Sequence, residues 1–231
     1  MAITLVASAQ AQSSNNNDVT VTIDSTGANL LVVSLSVWKG RAAYSFIDSK
    51  SNPTWTALTE YGSILPQTKQ WYYFNPPSVG SSHSFTINGA TDGGPCLAVH
   101  AFSGVGSYHS EGGNNANSTS VNTASLTPSS DGAVLVAIDS YGGSSAGQSG
   151  GGIYTGFAAN NVTGNAMGIA TSYYIQPTAA AIYETFTGNS QEQQTSHCCF
   201  LAEVAATGHP ASRRMGGVKF SGNQSLGINR W

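Results

Sequence analysis

At 231 residues the chain is long enough to bury a substantial core, as one large β domain or two small ones. Only 8% of its residues are charged, against roughly 25% in an ordinary soluble domain, while 40% are hydrophobic and 10% aromatic. That balance excludes intrinsic disorder, which needs low hydrophobicity and high charge, and no run reaches the ~20 apolar residues of a membrane-spanning helix.

Ile3, Leu5 and Ala7 alternate with Thr4, Val6 and Ser8, the period of a half-buried strand. The first eleven residues end in Ala9-Gln10-Ala11 and imitate a signal peptide. They lack a basic n-region and a long apolar run, so no cleaved leader is expected. Ser13-Ser14-Asn15-Asn16-Asn17 reads as a turn, and Val19, Val21 and Ile23 alternate with threonines in a second strand. Residues 30–38 are apolar almost throughout. Their β-branched content and the flanking Gly27 and Gly40 favour a central strand over a helix. Shorter strands are expected at 43–48 and 54–59, then an aromatic strand at 70–75. Pro76-Pro77 ends that strand, because proline cannot donate to a ladder. Strands at 84–88 and 96–102 complete a first half.

Residues 104–120, rich in Gly, Asn and Ser, read as the boundary, after which the order recurs. Ala133-Val134-Leu135-Val136 answers Asn29-Leu30-Leu31-Val32 at an offset of 104 residues. Trp71-Tyr72-Tyr73-Phe74-Asn75-Pro76 is answered at an offset of 101 by Ser172-Tyr173-Tyr174-Ile175-Gln176-Pro177, and Phe85-Thr86 by Phe186-Thr187. Five of the 17 positions from 71 to 87 are identical at that offset, which unrelated segments would not reach. Residues 142–152 are nearly all Gly and Ser and read as a mobile loop. Strands at 167–175, 182–187 and 197–204 complete the second half. Short strands punctuated by Gly, Pro and Asn predict an all-β, antiparallel, jelly-roll-like sandwich. Residues 1–106 and 107–208 form its two repeated halves, interleaved into one body in preference to two immunoglobulin-sized domains.

Residues 209–231 have no copy in the first half and are expected to form an extended arm. They hold four basic residues, Arg213, Arg214, Lys219 and Arg230, and no acid, a formal +4. Residues 1–208 hold four basic against eleven acidic residues, a formal −7. The arm also carries Met215, Val218, Phe220, Leu226, Ile228 and Trp231, and such a segment is ordered only when something holds it. An assembly interface is therefore assigned to Arg213, Arg214, Val218, Lys219, Phe220, Leu226, Ile228, Arg230 and Trp231. Burying Phe220, Leu226, Ile228 and Trp231 is worth roughly 6–10 kcal/mol before ordering costs. Four charges over 18 residues make no dense basic patch, so nucleic acid is not an expected partner.

The candidate chemistry is thin. Gly147-Gln148-Ser149-Gly150-Gly151 matches G-x-S-x-G, but its flanks are Gly/Ser-rich and a nucleophile elbow needs a strand before it and a helix after it. His197-Cys198-Cys199 offers metal ligands in name, yet adjacent strand residues point to opposite faces. His100 and His197, near the ends of matching strands, leave a paired-histidine site open. Three cysteines, Cys96, Cys198 and Cys199, make no disulfide framework and read as buried thiols. The scattered acids nominate no catalytic pair. No enzyme, metal or cofactor is expected. Trp55, Trp71 and Tyr72 are the candidates for contact with a glycan.

Several motifs together resemble a loose group of β-sandwich proteins of tailed bacteriophages and bacteria. They are Thr26-Gly27-Ala28-Asn29-Leu30-Leu31-Val32-Val33, Pro53-Thr54-Trp55-Thr56, Gln70-Trp71-Tyr72-Tyr73, the run from Ala98 to Val105, and Ser129-Ser130-Asp131-Gly132-Ala133-Val134-Leu135-Val136. The resemblance covers about residues 1–206 and supplies no catalytic residue. It implies a virion structural protein, for capsid decoration or as a tail or fibre component, assembled in the host cytoplasm and extracellular when mature. Its partners would be other virion proteins and copies of itself, with no membrane. The alternative is a carbohydrate-binding module or adhesin that meets a host-surface glycan through exposed aromatics.

Overall fold

A computed structural model of the chain describes residues 1–13, 17–38, 44–61, 66–90, 93–142, 149–151, 154–161, 167–188 and 192–204. Among these the secondary structure is all strand, with no helix. The first half contains β1 (Thr4–Gln12), β2 (Val19–Ile23), β3 (Leu30–Val37), β4 (Ser45–Asp48), β5 (Thr56–Ala57), β6 (Gln67–Phe74), β7 (His83–Asn88) and β8 (Cys96–Ser103). They form a five-stranded sheet in the order β1-β8-β3-β6-β5 and a three-stranded sheet in the order β2-β7-β4. The antiparallel partners β1 with β8, β2 with β7 and β3 with β6 are nested in sequence. A long folded ribbon rolled onto itself gives this pairing, which is that of a jelly roll.

The second half contains β9 (Val105–Asn117), β10 (Ser120–Asn122), β11 (Ala133–Gly142), β12 (Ser149–Gly151), β13 (Thr155–Asn161), β14 (Met167–Gln176), β15 (Thr185–Thr187) and β16 (Glu192–Ala202). Its sheets run β9-β16-β11-β14-β13 and β10-β15-β12, the first-half orders with eight added to every strand number. Leu30 and Val134, Phe74 and Ile175, and Phe102 and Phe200 stand at matching ladder positions. The 101-residue offset seen in the sequence is therefore the offset between β6 and β14.

The halves do not interleave as the sequence reading expected. Every ladder among the described residues lies within one half. Each half is a sandwich of its own, and the two join through the facing large sheets. The first interior holds Val21, Leu31, Val33, Leu35, Trp71, Phe85 and Ile87, and the second holds Leu135, Ala137, Tyr141, Tyr154 and Phe186. A third core lies between the large sheets, where Leu30, Val32 and Phe102 meet Val134, Val136, Cys198 and Phe200. The central strands β3 and β11 are thus buried on both faces along their whole length. This is why they read as unbroken apolar runs while β2 alternates cleanly between buried and exposed residues.

At its other end the seam between the large sheets combines a small apolar cluster of Cys96, Ala98, Ile138 and Ile169 with buried hydrogen bonds. Ser36 Oγ donates to the Gly168 carbonyl at 2.8 Å, and Ser140 Oγ to the Gln67 carbonyl at 3.2 Å. These four residues occupy matching positions in the two halves, so the contact is reciprocal, as in a two-fold interface. Gln70 ties the same region together, donating to Ser34 Oγ at 3.0 Å and accepting from Ser196 Oγ at 2.7 Å.

Two stretches read as loop are strand. Residues 105–117 form β9, an edge strand of the second large sheet, whose polar sequence suits its largely half-exposed course. Ser149–Gly151, within the Gly/Ser-rich stretch, form β12 against β15. The chain passes between the halves at Gly104, whose φ of +77° favours glycine; a Cβ there would lie 2.3 Å from the Ala2 carbonyl oxygen.

Candidate functional site

The residues assigned to an assembly interface, Arg213, Arg214, Val218, Lys219, Phe220, Leu226, Ile228, Arg230 and Trp231, lie outside the described residues. Trp55, Trp71 and Tyr72 do not form the exposed platform expected of them. Trp71 is 7% exposed, stacked on Phe46 with centroids 5.3 Å apart. Trp55 packs edge-on against Phe46, Tyr73 and Phe85 inside the same sandwich. Tyr72 points to the opposite face of β6, half-buried in the seam and flat against Tyr108 at 5.2 Å. Strand alternation separates them, because neighbours on a strand face opposite ways.

Ser149 sits in a strand and no described residue is helical, so the G-x-S-x-G match has no elbow around it. His100 packs in the seam against Phe102 and Tyr173, whereas His197 faces into the second sandwich. The two histidines make no joint site. Cys198 faces the seam and Cys199 the second interior, and burial pushes both thiols up, Cys199 to about 12.

Two polar constellations emerge that spacing did not announce. In the first half, Ser25 Oγ lies 2.8 Å from His83 Nδ1, and His83 Nε2 lies 2.7 Å from Asp48 Oδ1. This Ser–His–Asp chain is assembled from three separate loops and strands. Ser25 Oγ also accepts the Gly80 amide at 3.0 Å, and Asp48 accepts from the Lys50 amide and from Asn52 Nδ2, both at 2.7 Å. Ser25 and His83 are fully buried, so the chain clamps the 24–27, 48–52 and 78–82 turns together and presents no nucleophile.

The second constellation lies inside the second sandwich, where the matching ladder positions of the first are apolar. Leu35, Leu97, Val99 and Trp71 of the first half are answered by Asp139, Thr195, His197 and Ser172. Glu184 takes the place of His83, opposite Thr123. Asp139, Ser172, Thr195 and His197 are fully buried and Glu184 is 1% exposed. His197 Nδ1 lies 3.0 Å from the Ala124 carbonyl, which can only accept, so this nitrogen carries a proton. Nε2 then accepts from the Tyr154 hydroxyl at 2.9 Å. Burial holds the imidazole down at about 4, against a smaller upward pull from the Ala124 bond. Burial, helped by the charge of Glu184, pushes the Tyr154 phenol up. The Glu184 amide donates to Thr123 Oγ1 at 2.9 Å, which stands 3.3 Å from His197 Nδ1. Near neutral pH these groups form a fixed array of hydrogen-bond donors and acceptors walled by the rings of Tyr154 and Tyr174, 5.5 Å apart. The signal for this site was available once the offsets were known: tryptophan answered by serine and leucine by aspartate at core positions. Among the described residues no group of three or more His, Cys, Asp and Glu side chains could hold a metal ion.

Comparison with family models, curated proteins and solved structures gave no match to this chain.

Proposed function

We propose that the chain is a non-enzymatic building block of a particle surface, of the kind found in phage virions, held in place by its C-terminal segment. The observation that carries this reading is the position of residues 203–204 on the described body. The Met1 ammonium donates to the Glu203 carbonyl at 2.9 Å, and the Glu203 amide donates to the Gly104 carbonyl at 2.9 Å. Residue 204 therefore stands at one defined end of the body, beside Met1 and the crossing between halves. Met1 and Val204 are 73% and 87% exposed there. The chain beyond this point leads into the basic, apolar segment, +4 against a body of −7, a polarity suited to pairing with an acidic neighbour.

The outer faces of the small sheets fit a neutral particle surface. Thr20 pairs with Thr86 and Thr22 with Ser84, each at 2.9 Å, and Thr185 donates to Asn122 at 2.8 Å. Deleting residues 210–231 is expected to leave a soluble, cooperatively folding body that no longer joins the particle in a co-assembly assay. Normal incorporation of the truncated protein sinks the reading.

A further inference from the structure

In an antiparallel ladder every second residue of an edge strand turns its amide and carbonyl away from the sheet. In β1 the phase is set at one end. The Ser13 amide donates to the Pro95 carbonyl at 2.9 Å, and the register with β8 runs unbroken from Gln12 opposite Cys96 to Ala7 opposite Ala101. Ala7, Ala9 and Ala11 therefore bond to β8, while Ser8, Gln10 and Gln12 turn their main-chain groups outward. No backbone partner meets those groups among the described residues. The edge is also reached by solvent. Ala9 and Ala11 pack against the first interior yet stay partly exposed, whereas Ala98 and Ala101 of the neighbouring β8 are 1% and 0% exposed. Natural sheets blunt such edges by brevity, charge, proline or a bulge. Here β2, β4, β5, β10 and β12 are at most five residues long. β9 carries Glu111 and lies under the Tyr61 ring, and β13 shifts register in mid-course. β1 has nine residues, neither charge nor proline, and a regular course from Ala7 onward.

The geometry points to the free edge of β1 as a self-association surface, on which β1 of a second copy adds antiparallel about a two-fold axis through Gln10. The outward groups at 8, 10 and 12 are spaced symmetrically about that axis. Ser8 then meets the copy's Gln12, and Gln10 meets the copy's Gln10, each pair exchanging main-chain bonds. No charge faces its like across the axis. Gln10 Oε1 is buried yet has no hydrogen-bond partner among the described residues, and a carboxamide carries both a donor and an acceptor, so it can pair with its own copy. The five-stranded sheet of one molecule continues into that of the other. The chain's own C-terminal segment suits this edge less well. It departs beside Met1, so following β1 it would run parallel, the weaker pairing, and β1 offers its four cations no acid. The inference goes beyond the particle reading and does not depend on the C-terminal segment.

The test reads the mass of the full chain by light scattering and sedimentation velocity over a range of concentrations. Self-association is expected, and it should survive deletion of residues 210–231. Ser8→Pro removes an outward amide that the β1–β8 ladder does not use, a position where an edge strand tolerates proline, and it should leave a folded monomer. Gln10→Lys sets like charges opposite each other and should weaken self-association by roughly 5-fold or more, as should Gln10→Glu, while a mixture of the two should associate again. The charge variants serve where Ser8→Pro does not fold, and unfolding curves certify each fold. A chain that stays monomeric at all concentrations overturns the inference. So does self-association that folded Ser8→Pro and Gln10→Lys leave unchanged, which would place the contact on another surface, or self-association lost when only residues 210–231 are removed.

Discussion

The Ser25–His83–Asp48 chain shows how little a familiar trio of residue types says about chemistry until its surroundings are known. The trio is engaged with turns of the same end of the first sandwich, and His83 stacks on the buried Phe85 ring at 4.3 Å. Burial raises the Asp48 carboxyl, but hydrogen bonds from His83, Asn52 and the Lys50 amide outweigh it and hold the group below its usual value. A depressed carboxylate contributes stability that is present above its unfolded pKa of about 3.8 and is lost as pH falls through the folded value. Replacing His83 by Ala leaves Ser25 and Asp48 buried without their shared partner. We expect a loss of about 2–4 kcal/mol in urea unfolding at pH 7. Ser25→Ala, which removes one hydroxyl and leaves the His83–Asp48 bond, should cost about 1–2 kcal/mol. Equal, near-zero effects for both would mean that the clamp contributes nothing.

Among the elements, the long buried strands were the easiest to read, because β3 and β11 are apolar on both faces over most of their length and rich in β-branched residues. The aromatic repeat was equally plain, since Tyr72 and Tyr73 answer Tyr173 and Tyr174 at one ladder offset. What periodicity could not convey was which sheet each face meets. Nothing local distinguishes Leu30, which faces the other half, from Leu31, which faces its own small sheet. The edge strand β9 was missed for a related reason: its Gly112-Gly113-Asn114-Asn115 stretch looks like linker, yet it is a contact surface for the first half. The Tyr61 ring lies directly on Gly113, where a Cβ would come within 2.2 Å of Tyr61 Cγ, and Glu111 accepts from the Thr59 hydroxyl at 2.6 Å. Gly113 is thus required for space. Gly113→Ala should displace the ring and destabilise the chain by about 1–3 kcal/mol. In a Tyr61→Ala background the same substitution should cost much less, a coupling of about 0.5 kcal/mol or more in a double-mutant cycle. Strict additivity would show that the ring and the glycine do not meet.

For the whole molecule, the four stacked sheets create three interiors, and each encloses a histidine, His83 in the first sandwich being the one paired with a carboxylate. His100 sits in the seam between halves and His197 in the second sandwich, and burial holds each imidazole at about 4 where the exposed value is 6.5. Proton binding decides the sign. Between those limits the unfolded chain takes up protons that the folded chain refuses, so the unfolded state gains as pH falls. The histidines' contribution is fully present above about pH 6.5, declines through pH 5, and is gone near pH 4, where the folded imidazoles protonate too. A depression of this size corresponds to roughly 3 kcal/mol for each site. The Asp48 contribution falls away only at still lower pH, so the two effects separate along the pH axis. Urea midpoints should accordingly drop steeply between about pH 6.5 and 4.5. The matching half supplies the control substitutions: His100→Cys copies Cys198, and His197→Val copies Val99. Each single variant should flatten about half of the drop, and the pair should remove most of it, because the two sites lie in different interiors and act independently. A pH profile of the double variant that still tracks the unaltered chain over that interval would place the acid sensitivity elsewhere.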